Sequence, residues 1–157
     1  GLYIYDYKKQ AFTKKSIIQK NSSNFRPYYI RPWENGELLL ISHWNGILRY
    51  NPGSGQISPT DYPVQTNLNA AYLDSKKRLY LSSYNKGFVC YAPNGEKLYH
   101  IHTGNSKLNN NLVLDFMEID NKLWITTDGG GINIMDLDNP SDITAIMHTP
   151  GDEFPSC

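Results

Sequence analysis

The stretch "LWITTDGGGINIMD", Leu123 to Asp136, decides how the whole chain is read. Three consecutive glycines between apolar runs admit two structures. A glycine-rich loop that opens a helix would cradle a phosphate on the helix N-terminal amides. A glycine-rich turn between two strands would be punctuation. The residues after the glycines, "INIMDLD", are few, rich in isoleucine and free of a 3.6-residue apolar period, so they read as a strand and the glycines as its hairpin.

Two other windows fall into register with this one: "LLLISHWNGILRY" (Leu38 to Tyr50) and "LYLSSYNKGFVCY" (Leu79 to Tyr91). In each, a leucine precedes a glycine by eight residues. With Gly1 of "GLYIYDY", the glycines Gly46, Gly87 and Gly131 are spaced by 45, 41 and 44 residues. A period near 43 fits a four-stranded propeller blade or a pair of solenoid helices. No window of eleven residues carries an apolar helical stripe free of breakers, while "GILRY", "GFVCY" and "GLYIY" are β-branched and aromatic. The repeat is therefore read as strands.

Each unit resolves into four of them. In the last, "LVLDFMEID" turns at Asn121 into "KLWITT", the glycines lead to "GINIMDLD", and "DITAIMHT" completes the unit. The corresponding A-to-B turns earlier are Glu34 to Gly36 and Ser75 to Lys77, and the C-to-D turns are Asn51 to Gly55 and Pro93 to Gly95. The expected organisation is all-β: a β-propeller fragment of about three and a half four-stranded blades. Residues 1–22 supply strands C and D of a partial blade, 23–62 a second, 63–103 a third and 104–157 a fourth. A closed ring of six to eight such blades needs roughly 260 to 340 residues, so 157 residues read as part of a longer protein.

Composition removes several function classes. Lysine plus arginine equal aspartate plus glutamate at 15 each, so no net field draws the chain to nucleic acid. No run approaches the roughly 18 apolar residues of a membrane span, so direct membrane insertion by this segment is not expected. Two cysteines, Cys90 and Cys157, make neither a disulfide framework nor a zinc site.

The segment Leu108 to Asp136, "LNNNLVLDFMEIDNKLWITTDGGGINIMD", resembles the two-component regulator propeller repeat. The likeness lies in Asn109 to Asn111, Val113, Asp120, Leu123, Trp124, Ile125, Thr127, Gly130, Gly131 and Asp136. Thr126 stands where the family has glycine, and Leu39 and Tyr80 stand where Trp124 does. The resemblance implies seven-bladed rings, often two in tandem, in the periplasmic part of hybrid sensor histidine kinases of Bacteroidetes that sense glycan fragments and control polysaccharide utilisation. It further implies that the remaining blades, the membrane span and the kinase module lie outside this chain, and that the parent protein is a homodimer.

Candidate chemistry is sparse. His100 and His102 in "HIH" share a strand face, but a metal would need a third ligand such as His43 or His148 from another blade. Cys90 sits among apolar neighbours with no histidine beside it, which marks a packed thiol. The carboxylates Asp74, Asp115, Glu118, Asp120, Asp136 and Asp138 are scattered over turns and strand ends. "NSS", Asn21 to Ser23, has the form of a glycosylation acceptor. No catalytic residue, metal or cofactor is expected.

The more promising residues share one rim. B-to-C turns and D-to-A loops open on the same side of a propeller. The turns carry His43, Trp44 and Asn45, then Tyr84, Asn85 and Lys86, then Asp128; the loops are 21–29, 64–69 and 104–111. A sugar offers an apolar face for stacking and hydroxyls for directional hydrogen bonds, and any acidic group would pair with a cation. Arg26, Trp44, Asn45, Tyr84 and Lys86 are the candidate ligand-binding residues, and an oligosaccharide the expected ligand. Trp33 and Trp124 are assigned structural places. The rival expectations are a non-catalytic protein-interaction scaffold and, less favoured because the rim positions differ from blade to blade, a propeller lyase or glycosidase.

Overall fold

The computed structural model describes residues 2–15, 25–63 and 67–147. These form antiparallel sheets that succeed one another along the chain. β1 (Leu2–Asp6) and β2 (Ala11–Lys15) make a two-stranded sheet. β3 (Pro27–Pro32), β4 (Leu38–Ser42), β5 (Gly46–Tyr50) and β6 (Ile57–Pro59) make a four-stranded one. So do β7 (Leu68–Leu73), β8 (Leu79–Ser83), β9 (Phe88–Tyr91) and β10 (Lys97–Ile101), and then β11 (Val113–Ile119), β12 (Lys122–Thr127), β13 (Ile132–Asp136) and β14 (Ile143–Ile146). In every sheet consecutive strands are neighbours, and the chain is a β-propeller fragment of one half blade and three whole ones. The four strands of a blade are A to D in chain order.

Local chemistry sets the turns. Asp120 and Asn121 both take positive φ, 50° and 59°, between the paired residues Ile119 and Lys122, which is the demand of a two-residue type I′ hairpin. The second blade uses a single 3-10 turn, Glu34–Gly36, with Asn35 at φ 53°. The repeated glycine has a second cause besides its turn. Gly87 and Gly131 take φ of 71° and 68°, and a Cβ on them would stand 2.1 Å from the Ile101 carbonyl oxygen and 2.4 Å from that of Ile146. The end of strand D closes over the start of strand C, and only glycine leaves room.

The core lies between blades. Leu2 and Phe25 pack with Leu40, Leu48 and Tyr50 at the junction of the half blade and the second. Leu39, Ile41 and Ile47 meet Leu68, Ala71, Leu79, Leu81 and Tyr91 at the next junction. Ala70, Tyr80, Phe88 and Cys90 meet Val113, Phe116, Leu123, Ile125 and Met135 at the last. A B strand with a neighbour on each side buries both faces, which explains the unbroken apolar run of β4, where Leu39 to Ser42 are all buried. In β12 the burial alternates: Leu123, Ile125 and Thr127 are covered, while Lys122 and Thr126 are exposed and Trp124 half-buried. Trp124 therefore belongs to the outward face of the last blade.

One repeated feature has no sequence signal. Each A strand carries an extra residue near its start: pairing skips Tyr28 between Pro27 and Tyr29, Asn69 between Leu68 and Ala70, and Leu114 between Val113 and Asp115. A bulge re-aims the side chain of its extra residue. All three stand at the rim end of their strands; Asn69 lines the cleft between the second and third blades, and the Tyr28 ring packs on His43 of that lining.

Candidate functional site

Between the second and third blades the rim holds a cleft of about 340 Å³ lined by His43, Trp44, Asn67, Leu68, Asn69 and Tyr84. Its wall on one side is the B-to-C turn of the second blade. Ser42 anchors that turn: its hydroxyl accepts from the amides of Trp44 and Asn45 and donates to Asn45 Oδ1. The turn is thereby closed by its own side chains, and the Trp44 ring is left 61% exposed. His43 is held differently, with the Tyr28 ring 3.7 Å away and nearly perpendicular, and the Tyr29 ring at 5.9 Å.

The other wall comes from the third blade. The Tyr84 amide donates to the Asn67 carbonyl at 3.0 Å, which ties its B-to-C turn to the loop entering strand A. The Tyr84 ring is 65% exposed. Asn67 takes a positive φ of 57°, and Asn69 is the bulged residue of β7. The Asn69 carbonyl accepts from the Tyr29 hydroxyl, and Arg31 reaches the Ala71 carbonyl at 2.6 Å, so strand A of one blade is bonded to strand A of the next beneath the cleft. The Asn69 amide nitrogen is buried with no hydrogen-bond partner among the described residues. Aromatic rings, two side-chain amides and an imidazole thus converge on one concavity, and none of its lining residues carries a carboxylate.

Of the candidate residues read from the sequence, Trp44 and Tyr84 share this cleft. Arg26 lies outside its lining, exposed between the buried Phe25 and the half-buried Pro27. Asn45 is engaged with Ser42. Lys86 is exposed, and its carbonyl accepts from His100 Nε2 at 2.7 Å. His43, Asn67, Leu68 and Asn69 are not among those candidates, although His43 and the 64–69 loop lie on the rim that the turn order identifies. Residues 21–24 and 64–66 of the D-to-A loops, and with them "NSS", lie outside the described residues, as do His148 and Cys157.

At the next junction the asparagines of the D-to-A loop close the rim. Asn110 Nδ2 donates to the Asp128 carbonyl at 2.6 Å, Asn111 accepts from the Thr103 amide at 2.8 Å, and the Asn109 amide donates to the buried Asn133 at 3.0 Å. Gly130 permits this, since a Cβ there would stand 2.8 Å from that of Asn110. The opposite ends of these blades are joined by a buried polar network. Asp74 accepts from Arg78 Nε at 2.6 Å and from the Tyr80 hydroxyl at 3.1 Å, and Arg78 crosses to the Leu137 carbonyl at 2.9 Å. Tyr99 lies 3.2 Å from the Tyr80 hydroxyl, and Cys90 packs beside both. Burial pushes the Tyr80, Tyr99 and Cys90 groups up from their ordinary pKa values, so all three stay protonated.

His100 and His102 have ring centres 5.0 Å apart, but His102 lies past the end of β10 and accepts from the Gly104 amide at 3.1 Å. Among the described residues no three histidine, cysteine or acidic groups gather as metal ligands.

No family model matches the chain, and no curated protein matches it. Solved structures do. The extracellular domain described as that of the hybrid two component system BT3049 from B. thetaiotaomicron superposes with a TM-score of 0.62 at 17% identity, over 88% of this chain. Two structures of the extracellular domain of BT4673 from the same organism, described in one as a one component and in the other as a hybrid two component system, give TM-scores of 0.63 and 0.64 at 13% and 12% identity. Each match covers 88% of this chain and 21% of the other, so the chain spans about a fifth of the length of the structures it resembles. The likeness is one of fold.

Proposed function

We infer that the chain is part of an extracytoplasmic sensing propeller, and that the cleft between its second and third blades takes a glycan fragment. The observation that carries this reading is the pairing of Trp44 and Tyr84 across one cleft, each more than half exposed with its own backbone amide already hydrogen-bonded. Exposed rings have a hydration cost that a sugar's apolar face relieves by stacking. The Asn67 amide and the His43 imidazole then stand ready for sugar hydroxyls, with Asn69 beside them in the lining. Hydrolysis would call for two carboxyl groups facing each other across the cleft, and the lining has no such pair. The role is recognition.

The parent protein in this reading is a periplasmic-facing hybrid two-component histidine kinase, homodimeric, whose kinase module lies outside this segment and answers to polysaccharide breakdown products. The fold likeness to extracellular domains of two component systems supports it. Ligand shifts the equilibrium between two arrangements only by its difference in affinity for them, so a cleft built across two blades is a suitable place to bias their relative position.

Calorimetric titration of the full ectodomain with a panel of neutral and acidic oligosaccharides tests the reading. Saturable heat with one glycan class supports it. Silence across the panel, together with capture of a protein partner that survives the loss of both rim rings, favours the interaction scaffold instead.

A further inference from the structure

The bulge near the start of strand A re-aims one side chain at the rim, and the three whole blades use that place differently. In the third blade it holds Asn69, which is part of the cleft lining. In the fourth it holds Leu114, in a rim that Asn110 closes by bonding the Asp128 carbonyl. In the second it holds Tyr28, a large ring left 66% exposed. Pairing between β3 and β4 skips Tyr28, so its side chain is not needed to keep that ladder.

Tyr28 lies outside the lining of the cleft but against it. Its ring meets His43 nearly perpendicular, with 3.7 Å between centres, and His43 is the lining residue that precedes Trp44. The Tyr29 ring flanks it at 6.5 Å. Trp44, His43 and Tyr28 thus carry the aromatic surface of the cleft onward over the second blade. In the other direction that surface stops, because the fourth-blade turn that corresponds to those of Trp44 and Tyr84 is Asp128 to Gly130, which has no ring.

We propose that Tyr28 is a further ligand-contact residue, and that the ligand is an oligosaccharide chain running from the cleft over His43 onto the Tyr28 ring. A mono- or disaccharide held in the cleft alone would leave that ring unused. The proposal rests on the glycan reading of the cleft. Successive sugar units of a chain each present an apolar face, and a row of exposed rings offers each face a stacking partner. His43 and Tyr29 already restrain the Tyr28 ring, so stacking on it immobilises little that was free.

Chain length is the variable that tests it. The full ectodomain and its Tyr28→Ala, Tyr28→Phe and Trp44→Ala variants are titrated calorimetrically with fragments of arabinan, galactan, xylan, mannan and polygalacturonate, each series graded from disaccharide to octasaccharide. In the series that binds, affinity is expected to rise with length. Tyr28→Ala should raise the Kd of the longest fragments about tenfold and that of the shortest binding fragment by less than about twofold. Tyr28→Phe keeps the ring and should keep the parent's Kd at every length, while Trp44→Ala weakens all lengths alike. Should Tyr28→Ala fail to fold, Tyr28→Leu, which keeps bulk without a ring, takes its place. Equal weakening of short and long fragments by the Tyr28 variant would make the ring a support for His43 and overturn the proposal, as would no effect at any length. Either result leaves glycan binding in the cleft standing. If no series gives heat, the proposal falls together with the reading of the cleft.

Discussion

Trp44 and Tyr84 face one cleft from the B-to-C turns of consecutive blades, 61% and 65% exposed, and neither ring is needed to hold its own turn. The Trp44 turn is closed by Ser42 and Asn45, and the Tyr84 turn by the hydrogen bond from the Tyr84 amide to the Asn67 carbonyl. Truncating either ring to alanine is therefore expected to change unfolding free energy by less than about 0.5 kcal/mol, as for other exposed side chains. Urea unfolding of the two variants checks this. A loss of several kcal/mol would mean that the rings are structural after all.

Glycine substitutions separate strain from collision. At Gly129, with φ 71° and nothing within 4 Å of a new Cβ, alanine incurs only the left-handed backbone, about 1 kcal/mol. At Gly131 the new Cβ meets the Ile146 carbonyl oxygen at 2.4 Å as well, so the loss is expected to be at least about 2 kcal/mol and to loosen strand D. Equilibrium unfolding of Gly129→Ala and Gly131→Ala reads the difference, with hydrogen exchange on β14 reporting where the damage lies.

The Asp74–Arg78 pair is the second structural test. Its side chains are 0% and 14% exposed, and Asp74 also holds the Tyr80 hydroxyl. Arg78→Met leaves a buried carboxylate without its cation, a loss of about 3 to 5 kcal/mol for an uncompensated buried charge. Since Arg78 also bonds the Leu137 carbonyl, the fourth blade should open before the second. Hydrogen exchange resolved by blade would show that order.

Much of this fold is legible in the sequence, and the reason is local. The glycine before strand C needs a particular residue for a particular backbone angle and prints itself every forty-odd residues, and the Asp120–Asn121 hairpin marks its own turn in the last blade in the same way. The extra residues Tyr28, Asn69 and Leu114 leave no such mark, because a bulge is set by how a strand meets its partner and tolerates many side chains. The cleft shows the same division. Trp44 and Tyr84 are aromatic rings on turns, visible from strand order. Asn67, Leu68 and Asn69 reach the site from the loop of the next blade, and Asn69 only because its strand bulges. Asn109 to Asn111 resemble ligand-binding amides in sequence but commit their hydrogen bonds to neighbouring backbone and side chains.

Alkaline stability rests on the buried phenols. Tyr62 packs edge-on against Trp33 and Tyr91, and burial pushes its pKa up to about 12 from 10.0. The folded chain then keeps a proton that the unfolded chain releases. This contribution is whole below pH 10 and is lost as pH rises from there through about 12. Denaturant midpoints measured between about pH 9 and 11.5 should fall, and Tyr62→Phe should flatten that fall without removing it, since Tyr80 and Tyr99 are raised in the same direction.

The central claim is that the rim cleft between the second and third blades binds sugar, and it rests most directly on the affinity of Trp44→Ala for whichever glycan the full ectodomain takes up. Losing a stacking ring from a small site is expected to raise the Kd about tenfold, by roughly 1.4 kcal/mol, with Trp33→Phe on the opposite side leaving it unchanged. An unaltered Kd for Trp44→Ala, in a variant that unfolds like the parent, would contradict the account.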